Sequence, residues 1–424
     1  MEKEPSKQYN ITTELSAVVP PDGGRGWWVV FGSFCGLFAI YGVNYSWGVF
    51  LNAYNKQIYV GEMTQLSWIG SICIGFFFII GPINDWVTRK LGYTIMLKIA
   101  TIVCPFALMM ASITHEIWQL YLTQGLLMGC GASFVWFSCI PACQQWFDKK
   151  RGMAIGLAML GSGVGGLVMS NITQAVLLSL GYRWALRILG FVCFVFLGIA
   201  TLLVKPLPNR QMNLNQDMTV PMWKKQRALL CRLDFNLLLS IAFITTFGYL
   251  VPSFLLPSYA SYLGLNPWVG TNLSAILSAI NAVSKILLGY TSDRVGRLNT
   301  FCVCTFMAGI MCLAIWTNAT TEPTIWVFAT LYGLFGGGYL TMLAAIVPQI
   351  AGYHAISEAN GLVYFMNLPG YLVGTPIASA IIHTTVPVHY PYAAIYAGLL
   401  MSVGGLLAFA LRVLQVGWYW RIKV

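Results

Sequence analysis

Lys285 poses the sharpest chemical question in this sequence. It lies in an apolar run with Ser274, Ser278 and Asn281 at spacings of 4, 3 and 4, so all four share one helical face. An ammonium inside a bilayer is costly, and it needs an anion or a route to the interface. The anionic group of a substrate is one partner; snorkelling of the side chain is the alternative. A second stripe, Asn360, Tyr364, Asn367 and Tyr371, repeats the 4, 3, 4 spacing. A third holds Tyr41, Asn44, Tyr45 and Gly48. Lys285 and Asn281, with Tyr45, Asn44, Asn367 and Tyr364, are therefore the candidate substrate contacts. Interhelical hydrogen bonding is the competing explanation of the same spacing. Tyr249, Phe365, Tyr339 and Trp136 stand near these stripes and suit either ring stacking or packing.

Other chemistry is hard to build from these residues. None of the 13 acidic residues falls in the middle of an apolar run, so no central carboxylate is available to carry a proton. The four histidines form no HExxH or paired-ligand pattern, and the 11 cysteines include no CxxC pair. No catalytic set, metal site or cofactor is expected. The cysteines fall almost all in apolar runs, where they read as small packing residues.

The elements that must position these stripes follow from composition. The chain has 424 residues, of which 58% are hydrophobic and 9% charged, with a mean hydropathy of +0.71. Soluble proteins carry roughly 25% charged residues. A surface of this size cannot be kept in water with so few charges. The net charge of +11 is dispersed over short loops, which argues against nucleic-acid binding. A multi-pass membrane protein remains. Apolar runs of spanning length fall near 26–52, 64–84, 94–113, 118–142, 153–178 and 184–204. Six more fall near 235–262, 269–291, 299–317, 324–348, 359–384 and 391–415. The expected fold is all-α, with twelve transmembrane helices in two six-helix halves, 26–204 and 235–415. A basic linker, 205–234, separates them, and Pro206, Pro208 and Pro221 argue against one continuous helix there. Short tails, 1–25 and 416–424, complete the chain. The first run is too long and too late for a cleaved signal, and no lipidation motif stands at the C-terminus.

Orientation follows from the basic residues. Placing the N-terminus in the cytoplasm puts 19 of the 24 lysines and arginines on that side. Lys56, Arg183 and Arg187 fall outside, and Lys98 and Lys285 within spans. Positive charge stays inside, so both termini and the linker are expected in the cytoplasm. Tryptophans near helix ends, such as Trp27, Trp86 and Trp268, fit interfacial rings.

The two halves carry a repeated motif. One copy reads Gly81-Pro-Ile-Asn-Asp85, followed by Arg89, Lys90 and Gly92; the other reads Gly289-Tyr-Thr-Ser-Asp293-Arg294-Val-Gly296-Arg297. Each falls between the second and third runs of its half. The second copy resembles the loop motif of the major facilitator superfamily at every fixed position. Two further stretches, Pro21-Asp22-Gly23-Gly24-Arg25-Gly26-Trp27 and Trp146-Phe147-Asp148-Lys149-Lys150-Arg151-Gly152, resemble the two signatures of the monocarboxylate transporter family within it. The short tails and the Asn281/Lys285 pair are most similar to fungal members, some of which carry riboflavin.

The resemblance implies alternating access, with a cavity lined by helices one, two, four, five, seven, eight, ten and eleven. It implies gating roles for Asp293, Arg294 and Arg297, weaker ones for Asp85 and Arg89, and a place for Asp22, Lys149 and Arg151 in the signatures. In proton-coupled members an aspartate and an arginine occupy the positions of Asn281 and Lys285, and a lysine the position of Tyr45. This chain keeps the cation in kind but lacks the carboxylate. Ser162 also replaces the proline of the superfamily's antiporter motif, and the glycines around it suit close helix packing. The expected activity is secondary transport of a small organic anion, a monocarboxylate first and riboflavin or another planar metabolite second. A nutrient sensor ranks below both. Plasma membrane is the location the family implies.

Overall fold

The computed structural model describes residues 21–57, 63–207, 222–352, 355–384 and 390–417. Most of both expected tails and part of the linker lie outside the described residues. Every regular element among those described is helical.

Eleven stretches among the described residues are long and apolar enough to cross a membrane. One of them, Trp68–Ala111, is 44 residues, about 66 Å of helix at 1.5 Å per residue. That is two crossings of a roughly 30 Å core, and it turns at Gly92, where φ is 72°. Twelve crossings result, as the apolar runs predict.

In the first half these are α1 (Gly26–Gln57), α2 (Met63–Ile79), α3 (Asn84–Ala111), α4 (Ile117–Leu120), α5 (Met128–Trp146), α6 (Arg151–Leu180) and α7 (Tyr182–Leu203). A 3-10 turn, Gly81–Ile83, joins α2 to the start of α3 and completes the second crossing. A π segment, Tyr121–Leu127, joins α4 to α5 in the fourth. The linker contributes α8 (Met222–Leu230), which starts just after Pro221. The second half has α9 (Leu233–Tyr249), α10 (Val251–Tyr262), α11 (Pro267–Val295), α12 (Arg297–Ile310), α13 (Glu322–Gly336), α14 (Tyr339–Ala351), α15 (Ile356–Thr384) and α16 (Tyr390–Val416). The seventh crossing steps from α9 to α10 just before Pro252, and the tenth from α13 to α14 at Gly337 and Gly338.

Hydropathy ends the second and eighth runs too early. Both helices continue past the apolar segment, so Asp85 and Asp293 sit on helix rather than in a loop. The break comes at Gly92 and at Gly296, where φ is 114°. Backbone with positive φ admits glycine at little cost and penalises a Cβ. The first copy spans seven residues from aspartate to glycine and the second three. The difference of four is about one helical turn, so both aspartates keep the same facing.

Packing repeats between the halves as well. Gly161 and Gly165 of α6 lie against the Phe34 and Phe38 carbonyls of α1. Gly370 and Gly374 of α15 lie in the same way against Thr246 and Phe247 of α9. Small residues four apart let helices approach closely where no hydrophobic force drives them together. The fifth crossing thus leans on the first, and the eleventh on the seventh.

Candidate functional site

The halves meet along two seams, α6 against α11 and α2–α3 against α15, at the end of the bundle that carries α8. At this linker end the Asp293 carboxylate accepts the backbone N–H groups of Gly152 and Met153, both at 2.9 Å. These are free donors at the start of α6, where the helix dipole favours an anion. Arg297 lies 3.3 Å from Asp293 and also donates to the Asp148 carbonyl. Arg294 instead faces the surface over the Tyr290 ring, 4.3 Å away.

The second seam uses the same kind of chemistry. Arg89 pairs with Asp85 at 2.7 Å and, across the halves, with Glu358 in the first turn of α15 at 3.0 Å. Asn84 donates to the Ser357 hydroxyl and carbonyl. The linker helix joins both halves here: Lys225 lies 3.6 Å from Glu358, and Gln226 donates to the Pro82 carbonyl at 2.6 Å. A Cβ on Gly152 would collide with the Gly289 carbonyl, and one on Gly361 with the Gly81 carbonyl. Each motif glycine therefore faces a glycine of the other half at backbone distance.

The two signature stretches meet in space. Asp22, with a φ of 50°, accepts the backbone N–H groups of Asp148 at 2.8 Å and Lys150 at 3.3 Å. Arg151 is fully buried and pairs with Asp148 at 3.0 Å while donating to the Phe147 carbonyl. Trp27 packs on Phe147 with ring centroids 4.8 Å apart, and Lys149 is exposed. Replacing Asp22 with alanine leaves two N–H groups of the turn before α6 unpaired. The expected loss is about 1–2 kcal/mol, in the range of a lost helix-cap bond, read as a lower unfolding temperature in detergent. Asp22→Asn should retain part of it.

Deeper in the membrane the seam becomes polar and dry. Gln144 and Asn360, both fully buried, exchange reciprocal amide bonds at 3.3 and 2.6 Å across the halves, and Gln144 also donates to the Ala344 carbonyl. Lys285, 4% exposed, donates to the Ser162 hydroxyl of α6 at 2.6 Å. Among the described residues no carboxylate lies within ion-pair distance of it. One turn along, Asn281 neighbours Tyr249, whose ring lies 5.1 Å from that of Tyr339. Tyr339 and Thr246 both donate to the Asn367 side-chain oxygen, at 3.2 and 2.8 Å.

Beside this network stands a packed aromatic cluster. Phe78 stacks on Tyr364 at 5.8 Å and on Tyr371 at 5.5 Å, and meets Trp136 edge-on at 5.6 Å. Tyr364 and Trp136 lie 5.1 Å apart, and Tyr41 closes the group at 5.9 Å from Trp136. Tyr45, half exposed, packs on Gly166.

Of the residues singled out by spacing, Lys285, Asn281, Tyr364 and Asn367 are gathered here, with Tyr45 at the rim. Asn44 turns away and lies beside Cys73 of α2 within its own half. Sequence reasoning passed over four residues that belong to this region. Ser162 stands out only as a departure from the antiporter motif and Gln144 lies with Gln145 just past the fourth apolar run, and only their partners across the halves reveal their part here. Glu358 stands at the start of a run, where acids are common. Phe78 looks like any other aromatic.

Comparison with known proteins decides the family. The family model described as Major Facilitator Superfamily matches residues 29–284 and 269–422. The chain belongs to that superfamily. Members of this superfamily are transporters rather than enzymes, and the chain is an integral, multi-pass membrane protein of this kind. Among similar proteins is MFS transporter asaE of Aspergillus flavus, 31% identical over 94% of this chain and 89% of that one. The Aspyridones efflux protein apdF of Emericella nidulans is 28% identical over 93% and 79%. The fold is shared with the proton:xylose symporter XylE, at a TM-score of 0.73 and 12% identity, over 92% of this chain and 95% of that one.

Proposed function

We propose that this superfamily member carries an organic anion with a planar ring body, and that Lys285 receives the anionic group. The observation that carries the reading is Lys285 itself. It is a buried ammonium with a serine hydroxyl beside it and, among the described residues, no carboxylate within ion-pair distance, and the network one turn along borders the aromatic cluster, which we read as the closed wall of a substrate chamber. An unpaired charge in that setting costs several kcal/mol, and an incoming carboxylate, enolate or phosphate relieves it. Asn281, Tyr364 and Asn367 then orient the cargo, and Tyr45 meets it at the mouth. Asn44 acts through Cys73, as a support for α2.

Transport proceeds by alternating access, with residues 26–204 and 235–415 rocking about the chamber. In the arrangement described, the inter-half bonds run from the linker end up to Lys285. Opening that end means releasing Asp293 from α6 and Arg89 from Glu358. Asp85 holds Arg89, Arg297 bridges to the signature loop, and Asp22 and Arg151 keep that loop in shape. Lys149 and Arg294 sit on the same face as surface charges. We place this end, the linker and both termini in the cytoplasm, and the protein in the plasma membrane. The bonds at this end give the halves two discrete arrangements, which a carrier needs.

A small monocarboxylate is the second reading. It is favoured by the two signatures, Asp22 to Trp27 and Trp146 to Arg151, which are built into one structure here. Two relatives are named as efflux proteins, for aspyridones and for fujikurins, and neither is named for a monocarboxylate. Uptake into proteoliposomes separates the readings. Anthraquinone-2-carboxylate, riboflavin and pyruvate are compared, with entry into empty liposomes subtracted. The expected result is saturable entry of the ring-bearing acid, reduced at least about 10-fold by Lys285→Ala. Saturable pyruvate entry alone would instead establish the small-acid reading. Saturable entry of riboflavin alone, unchanged by Lys285→Ala, would keep the planar cargo and remove the anion.

A further inference from the structure

Three large polar side chains around Phe78 have no hydrogen-bond partner among the described residues. These are the Trp136 indole N–H and the hydroxyls of Tyr364 and Tyr371. Trp136 and Tyr364 are fully buried and Tyr371 is 7% exposed. Their rings all pack within 6 Å of the Phe78 ring, so the three groups belong to one place. Trp136 comes from α5 and both tyrosines from α15, while Phe78 between them comes from α2.

Several serines and threonines in the membrane also lack partners, but their case differs. A serine or threonine on a helix can turn its hydroxyl to the carbonyl one turn back. An indole or a phenol cannot reach its own helix backbone. Trp316 and Tyr396 share that limitation, yet each stands alone, away from Phe78. Burying a polar group without a partner costs about 1–3 kcal/mol. Three of them around one ring is a large penalty to concentrate at a point unless something completes them.

Their chemistry defines what that something must be. An indole N–H donates and cannot accept, and a phenol donates readily. The wall therefore needs acceptors, spread over a flat apolar body that fits among aromatic faces. Among the described residues no lysine or arginine makes a contact with these rings, so the acceptors here need not carry full charge. Carbonyl oxygens on a fused or conjugated ring meet the requirement. The ammonium of Lys285 is separate from this wall and suits a distinct acidic group.

We infer that the cargo is an oxygenated planar acid, whose ring carbonyl or enolate oxygens accept hydrogen bonds from Trp136, Tyr364 and Tyr371 while its acidic group meets Lys285. The inference rests on the carrier reading above and deepens it. It excludes short aliphatic acids, which bring no flat body for the rings, and plain hydrocarbon ring acids, which bring no acceptors.

A matched pair of ligands tests it. Anthraquinone-2-carboxylate and anthracene-2-carboxylate share rings and carboxylate and differ by two ring carbonyls. Affinity for the full protein in nanodiscs is measured by ligand-induced shift of the unfolding temperature and by isothermal titration. The variants are Trp136→Phe, Tyr364→Phe and Tyr371→Phe; the two tyrosine changes remove one oxygen each and keep the stacking, and each variant is first checked for a monodisperse profile. The quinone acid should bind at least about 10-fold more tightly than its hydrocarbon twin. Each variant should weaken the quinone by about 3- to 10-fold, the worth of one hydrogen bond, and weaken the twin by less. Equal binding of the twins, unaffected by the variants, would overturn the donor wall while leaving the planar-anion reading intact. Binding of neither, with saturable pyruvate uptake, would remove both.

Discussion

Gly152→Leu should unlock the linker end of the bundle. Gly152 faces the Gly289 carbonyl and the Ser292 hydroxyl so closely that even a Cβ has no room. These neighbours are a backbone oxygen and a short side chain, and neither can swing aside as a long flexible group would. Overpacking a tight interior costs about 1–3 kcal/mol when the surroundings yield, and backbone against backbone yields least. The same substitution displaces the two N–H groups that hold Asp293. Together these shift the balance between closed and open linker ends by at least about 10- to 100-fold, since 1.4 kcal/mol is tenfold. Hydrogen exchange measures it directly. Protection should fall in peptides covering 148–156 and 356–362, and remain in the α1–α6 contact at Gly161 and Gly165. Unchanged exchange in both linker-end peptides would mean that the glycine contact does not set the closure.

Lys285→Met should separate function from stability. The methionine keeps most of the apolar stem and removes the ammonium. In most buried pairs the loss of one partner strands the other. Here the partner is the Ser162 hydroxyl, which can turn to its own helix and already bonds the Met159 carbonyl. Removing a desolvated charge therefore costs the fold nothing, and the unfolding temperature should hold or rise. Transport of an anionic substrate should fall at least about 100-fold, because the site loses the ammonium that receives the anionic group. A variant that unfolds earlier and still transports would reverse the assignment and make Lys285 a structural residue. Lys285→Arg is a useful third case, since a planar guanidinium is not a substitute for a compact ammonium.

The fold was legible because the bilayer leaves few choices. A spanning segment must satisfy its own backbone bonds, so long apolar runs can only be helices. The linker stood out by its charge, and the repeated aspartate–glycine motif announced the two halves. The ends of the second and eighth helices were misjudged, because hydropathy reports where lipid stops and not where hydrogen bonding stops. Asp85 and Asp293 are polar and helical at once.

The candidate site was legible in part, and for a related reason. Polar side chains at helical spacing in an apolar run have few explanations, and the stripes of α11 and α15 both lead to the chamber. Asn44 shared that spacing yet faces Cys73 inside its half, because periodicity gives the face of a helix and not what stands opposite. Ser162, Gln144 and Glu358 matter only through residues more than 100 positions away. Aromatic walls were invisible for want of contrast, in a chain where 14% of residues are aromatic. Phe78 became notable only once Trp136, Tyr364 and Tyr371 were found around it.

Reciprocal movement of the two ends is the central claim, and a pair of distance measurements tests it most directly. Spin labels at Lys149 and Thr291, both exposed, report on the linker end; labels at Ile113 and Thr320, also exposed, report on the opposite end. Double electron–electron resonance in nanodiscs compares the otherwise wild-type protein with Gly152→Leu. The Lys149–Thr291 distance should lengthen in the variant while the Ile113–Thr320 distance shortens. Lengthening at the linker end with no shortening at the other would contradict rocking of the halves about a central chamber.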